Sequence, residues 1–117
     1  MSSDLKSQFE QYSLEFSKLQ NSINELITSR SKLETQYQEN KIVNEEFETL
    51  NEDSKIYKLI GSILLPQDYQ DANMNINKRI EFIENEINRV ETKIKNEETE
   101  MENIRNKLLE VRSKLGA

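Results

Sequence analysis

The sequence predicts a mainly α-helical protein: a long antiparallel two-helix coiled coil that is interrupted by one central β-hairpin. Apolar residues recur at alternating steps of four and three along both halves of the chain, and these two arms have matched lengths. Between them, the stretch KIYKLIGSILL at 55–65 is mostly apolar and has the pattern of a hairpin. We therefore expect a single domain over 1–117, with an N-terminal coil helix at about 3–50, a hairpin at 55–66 and a C-terminal coil helix at about 70–115.

Composition excludes several classes of function. Only 34% of the 117 residues are hydrophobic and 32% are charged, a balance that suits long exposed helices better than a globular core. The net charge of −6, with no basic segment, argues against nucleic acid as a ligand. The chain has no Cys and no His, so the usual metal ligands and the commonest general base are missing, and we expect neither an enzyme nor a cofactor. No apolar run reaches the roughly 20 residues of a membrane span and no signal peptide is recognisable, so we expect a cytoplasmic protein that does not bind membranes.

The N-terminal arm carries a coiled-coil seam with one charged interruption. Its seam residues are Leu5, Phe9, Tyr12, Phe16, Leu19, Ile23, Leu26, Arg30, Leu33 and Tyr37. Beyond them, Asn40 and Asn44 fall on the strict seam, whereas Ile42 and Val43 lie to one side. We expect the apolar stripe to widen or drift in this region.

The C-terminal arm keeps the same alternation throughout, and eleven of its twelve seam positions are apolar. They are Ile76, Ile80, Ile83, Ile87, Val90, Ile94, Glu97, Met101, Ile104, Leu108, Val111 and Leu115. Isolated helices with such polar outer faces are marginal in water, so the two seams must pair.

Two registers are compatible with pairing of the arms within one chain. If facing residue numbers sum to 120, both arms finish level, Ile23 lies opposite Glu97 and Arg30 lies opposite Val90. A shift of one heptad, to a sum of 127, would bring Arg30 to Glu97 instead. We prefer 120, and the shifted register is the alternative. Polar seam residues commonly fix a register at a cost in stability, so we interpret both charged residues as structural.

The central insert has the features of an assembly element. Gly61 and Ser62 suit a type II′ turn between strands at 56–60 and 63–65, and Pro66 lacks the N–H that would continue the second strand. Both faces of this hairpin would be largely apolar. A lone two-stranded hairpin is marginal in water, so we expect it to pair with other chains; packing onto the helix ends is the alternative, but it would cover only one face. The predicted assembly residues are Ile56, Tyr57, Leu59, Ile60, Ile63, Leu64 and Leu65.

The central blocks of the sequence resemble the β-type subunits of the prefoldin family. They are KLETQYQENKIVNEEFETL at 32–50, YKLIGSILLPQ at 57–67 and NINKRIEFIENEI at 75–87. The heptads alone are unspecific, whereas these blocks are specific, and the resemblance covers essentially the whole chain. The α-type subunits of the family carry two hairpins, and this chain has room for one.

The resemblance implies an ATP-independent holdase chaperone of the cytosol. In that family, two α-type and four β-type subunits join their hairpins into a double β-barrel platform from which six coiled coils extend. The coil tips hold non-native clients, notably actin and tubulin, for delivery to the cytosolic chaperonin. This chain would then have two α-type and three further β-type subunits as partners. Its tips would be its two ends, with client-binding candidates Leu5, Phe9, Tyr12, Leu14, Phe16, Ile104, Leu108, Leu109, Val111 and Leu115.

Plainer interpretations stand beside these expectations. Most of the tip residues could simply close the coil, and Leu14 and Leu109, which lie off the strict seam, are the better candidates for client contact. A structural homo-oligomeric coiled-coil tether without a chaperone role would explain the heptads but not the hairpin. An enzyme would need a walled pocket, which a two-helix coil does not provide.

Overall fold

The described part of the chain consists of two long α-helices. A computed structural model describes the backbone of residues 2–49 and 65–116 and the side chains of residues 3–47 and 71–116. Helix α1 spans Ser2–Thr49 and helix α2 spans Leu65–Gly116. They confirm the two helical arms of the prediction. Of the hairpin predicted at 55–66, residues 55–64 lie outside the described residues.

Local sequence explains why both arms are helical. Helix α1 contains neither Gly nor Pro, and the residues between its seam positions are mostly Glu, Gln, Lys, Ser and Asn. Asp4 lies in the first turn of α1 and Lys114 in the last turn of α2, where each charge complements the helix dipole. The amphipathic pattern of α1 therefore lies on a segment that contains no helix-breaking residue.

Helix α2 begins earlier than the sequence pattern predicts. We expected Leu65 to end a strand and the helix to start at about 70, but α2 starts at Leu65 and includes Pro66. Proline is tolerated in the first turn of a helix, because its fixed φ is helical and its missing N–H would have no intrahelical partner there. The assignment of Leu65 to a strand was therefore wrong.

The chain divides into two compact units. Unit 1 consists of Met1–Arg30 together with Arg89–Ala117, and unit 2 consists of Ser31–Asn88. In unit 1 the buried core is formed by seam side chains from both helices, namely Ile23, Val90, Ile94 and Val111. The remaining seam residues of this unit are half-buried, except Leu115, whose side chain is 36% exposed. The four-three spacing thus correctly predicts which face of each helix is covered.

Two contacts across unit 1 establish the register of its helices. The Nζ atom of Lys107 lies 5.6 Å from the centroid of the Tyr12 ring. The hydroxyl of Ser22 donates to the carboxylate of Glu97, with Oγ 2.9 and 3.0 Å from the two carboxylate oxygens. Each pair of residue numbers sums to 119, so the helices are antiparallel and the register agrees with a layer sum of 120, not 127.

Unit 2 shows that the seam of α1 does not drift. Ile83 is the buried residue of this unit, and Asn40 and Asn44 are half-buried at the seam positions that they occupy in the heptad. Ile42 and Val43 are exposed, so the expected widening of the stripe was wrong. Helical phase fixes which side chains face the partner, and a half-buried amide is acceptable where it is hydrogen-bonded. Asn40 satisfies this condition, because its Nδ2 donates to the carbonyl oxygen of Gln36 at 2.7 Å.

Two isoleucines of unit 1 provide a matched test of the seam. Ile94 is 5% exposed, whereas Ile27, off the seam, is 41% exposed. We expect Ile94→Ala to destabilise unit 1 by about 2 kcal/mol, because it leaves a cavity in the seam. Backbone amides near residue 94 should then exchange roughly thirtyfold faster in hydrogen-exchange mass spectrometry. Ile27→Ala should change exchange only slightly, and equal effects of the two substitutions would contradict the assigned seam.

Candidate functional site

The predicted tip residues all lie in unit 1, and they fall into two classes. Most are seam residues that are half-buried between the helices; of the other seam residues, Val111 is 5% exposed and Leu115 is 36% exposed. Leu14 and Leu109 are different, because they are 57% and 54% exposed although both are large and apolar. The exposure of these two side chains agrees with their position off the seam.

A groove lies on one side of the coil near the chain ends. It has a volume of about 230 Å³ and is lined by Phe9, Ser13, Phe16, Arg105, Leu108, Leu109 and Arg112. Most of its wall is apolar, and its only charged lining residues are the two arginines. We call this surface the arginine groove. An open surface formed by Leu109, Arg112, Ser113 and Gly116 continues it along α2.

A second groove in unit 1 has a different character. It has a volume of about 430 Å³ and is lined by Glu15, Lys18, Leu19, Glu100, Asn103, Ile104 and Lys107. Two carboxylates and two ammonium groups line it, so its charges balance. We call it the mixed groove. The two grooves share no residue, and each includes part of the seam.

The geometry separates the two exposed leucines. Leu109 lines the arginine groove and its continuation, where its side chain lies beside the half-buried Phe9, Phe16 and Leu108. Leu14 lines none of these three surfaces. The sequence identified both residues as exposed candidates, but it could not distinguish a groove wall from an isolated apolar side chain.

Unit 2 contains an exposed aromatic residue that the sequence analysis missed. Phe82 is 63% exposed, although it is adjacent to the buried Ile83. The sequence could have shown this, because Phe82 is a large aromatic residue that directly precedes the seam position Ile83 and so lies off the four-three pattern. Ile42, Val43 and Met74 are further exposed apolar residues of this unit.

A polar contact in unit 2 alters the ionisation of a tyrosine. The hydroxyl of Tyr37 donates to Glu84 Oε1 at 2.9 Å. This hydrogen bond is the main reason why the pKa of Tyr37 is raised above 10.0; desolvation and repulsion by the negative charge of Glu84 act in the same direction. Tyr37 therefore stays protonated, and able to donate, throughout the physiological range.

Other kinds of site find no support in the part of the chain that the structure describes. Residues 2–49 and 65–116 contain no group of three acidic side chains placed to hold a metal ion. Neither described helix has a stretch long and apolar enough to cross a membrane. The predicted assembly residues Ile56, Tyr57, Leu59, Ile60, Ile63 and Leu64 lie outside the described residues, and only the backbone of Leu65 is described.

The family comparison and the comparison with individual proteins both match this chain to prefoldin subunits. The model of the family described as prefoldin subunit matches residues 10–113. Prefoldin subunit 6 of Saccharomyces cerevisiae is 57% identical over 74 residues, which cover 63% of this chain and 65% of that protein. Prefoldin subunit 6 of Arabidopsis thaliana is 40% identical over 86 residues, covering 74% of this chain and 67% of that protein.

More distant relatives carry the same name. Prefoldin subunit 6 of Homo sapiens is 35% identical over 74 residues, which cover 63% of this chain and 57% of that protein. The matched regions thus span about two thirds or less of the length of these relatives. No solved structure matches the chain. The resemblance of the central sequence blocks to the prefoldin family is confirmed, and the relatives compared above are all named prefoldin subunit 6.

Proposed function

Because the chain belongs to the prefoldin family, we propose that it is a subunit of a hetero-hexameric, ATP-independent holdase chaperone in the cytosol. Its partners are two α-type and three further β-type prefoldin subunits. The assembled complex captures non-native proteins such as actin and tubulin and delivers them to the cytosolic chaperonin. The subunit has no catalytic role and no cofactor in this proposal, and it binds neither nucleic acid nor membranes.

Assembly in this proposal depends on the central hairpin, for which the sequence is the support. Residues 56–60 and 63–64 supply the apolar side chains that would pair with neighbouring subunits. The helical start at Leu65 limits the second strand to residues before it. In the predicted hairpin, Leu59 and Leu64 would lie on one face, opposite the face that would carry Ile60 and Ile63.

Client capture in this proposal depends on the tip of unit 1. The observation that carries it is an exposed Leu109 beside a groove whose seam residues are half-buried. Where helices open locally, such seam residues become available to the apolar segments of an unfolded chain. Several weak contacts on several subunits then act together, so no single tight site is needed.

Lysine substitutions separate assembly from folding. We expect Leu59→Lys with Leu64→Lys to prevent hexamer formation with the partner subunits, because two charges would have to be buried at a subunit interface. Helical content, measured by circular dichroism, should be retained. The control is Ile27→Lys with Ile42→Lys, which makes the same change at exposed helical positions and should assemble normally by native mass spectrometry. Normal assembly of the hairpin variant would show that this face is not an interface.

Serine substitutions test the tip in the assembled complex. Leu14→Ser with Leu109→Ser should leave the hexamer intact and weaken binding of denatured actin by roughly two- to tenfold, because exposed apolar area is lost from one of several contributing subunits. Suppression of actin aggregation by light scattering is the measurement. Ile27→Ser with Ile42→Ser removes two exposed apolar side chains elsewhere and should have no effect. Unchanged suppression by the tip variant would exclude these leucines as client contacts.

A further inference from the structure

We infer that the arginine groove selects client segments in which apolar residues are flanked by Asp or Glu, an inference that rests on the proposed function. Its occupant is a segment of a non-native protein with mixed apolar and acidic character. The groove combines an apolar wall with two guanidinium groups and includes no carboxylate among its lining residues. This combination distinguishes it from the mixed groove, where opposite charges balance.

The apolar wall supplies the part of the interaction that any unfolded segment can use. Phe9 and Phe16 are half-buried and belong to α1, whereas Leu108 and Leu109 come from α2. A client Leu or Phe side chain placed against them would remove apolar surface from water on both sides. This wall favours apolar residues but does not distinguish one client sequence from another.

The arginines supply the discrimination. Arg105 and Arg112 are separated by two turns of α2, about 10 Å along its axis, so they lie towards different ends of the groove. A guanidinium group binds a carboxylate through charge-assisted hydrogen bonds, and it repels Lys and Arg. Acidic residues beside the apolar anchor would therefore be favoured, and basic residues would be rejected.

The charges near the groove leave both arginines able to act. Arg105 Nη1 lies 3.8 Å from Glu102 Oε2, but both side chains are exposed and such long surface pairs contribute little. Arg112 makes no ion pair with any other residue for which a side chain is described. Glu110, the one acidic residue among 105–116, pairs with Lys114, its Oε1 lying 3.4 Å from Nζ. The lining of the arginine groove is therefore positive, whereas α1 contributes Asp4, Glu10 and Glu15 to the same unit and the whole chain carries a net charge of −6.

Matched peptides bound to the assembled hexamer test the inference. The probes are two fluorescent peptides with identical Leu and Phe residues, one with Asp and Glu between them and the other with Lys at the same positions. We expect the hexamer with the natural subunit to bind the acidic peptide roughly three- to tenfold more tightly at low salt, by fluorescence anisotropy. The preference should shrink as salt is raised, because exposed charges are screened.

Two charge-removing variants decide whether the groove is responsible. Arg105→Gln with Arg112→Gln should reduce or abolish the preference for the acidic peptide. The control, Lys93→Gln with Lys95→Gln, removes the same charge from exposed positions of α2 in unit 1 that line none of the described grooves, and it should retain the preference. Equal loss in both variants would overturn the inference, since the general field of the coil would then be sufficient.

The same hexamers report separately on the proposed function. A hexamer that suppresses client aggregation but binds both peptides equally would overturn the arginine-groove inference and leave the chaperone role intact. A hexamer that does not suppress aggregation would contradict the proposed function, whatever its peptide preference. Each variant is first checked for assembly by native mass spectrometry, and both substituted pairs are exposed, so unit 1 should remain folded.

Discussion

The pairing of two apolar seams, one on α1 and one on α2, is the interaction on which the rest of the structure depends. Single helices with such polar outer faces are only marginally stable in water. The two helices are therefore stabilised mainly by the side chains that they bury against each other. In unit 1 these are mainly Ile23, Val90, Ile94 and Val111. The seam also admits Glu97, whose carboxylate accepts the hydrogen bond of Ser22. A shift by one heptad would break this bond, so the one acidic seam residue of α2 also helps to fix the register.

Register, in turn, determines the chemistry of the surfaces beside the seam. Because the layers sum to about 120, the phenyl rings of Phe9 and Phe16 meet the part of α2 that carries Leu108, Leu109 and two arginines. One side of the coil thus combines apolar surface with positive charge, whereas the other side balances its charges. The proposed capture of clients and the proposed preference for acidic segments both follow from this juxtaposition, not from any single residue.

The heptad spacing was sufficient to predict the two helices, the buried seam and the preferred register, because helical periodicity fixes which side chains face a partner. It was misread at Asn40 and Asn44, where we gave weight to polarity and expected drift, although the phase of the helix continued. The earlier start of α2 was missed because Pro66 was interpreted as the end of a strand when it also suits a first helical turn. The arginine groove could not be predicted from periodicity, since it depends on which flanks of two helices come together.

The register is tested most directly by engineered disulfides, since the chain has no Cys of its own. Leu26→Cys with Ile94→Cys places two thiols in one layer of the 120 register, whereas Leu26→Cys with Met101→Cys places them in one layer of the 127 register. Disulfides need closely spaced Cα atoms, so mild oxidation followed by non-reducing electrophoresis and mass spectrometry distinguishes the two. We predict an efficient intrachain disulfide in the first variant and little in the second. The opposite result would contradict the register and, with it, the assignment of both grooves.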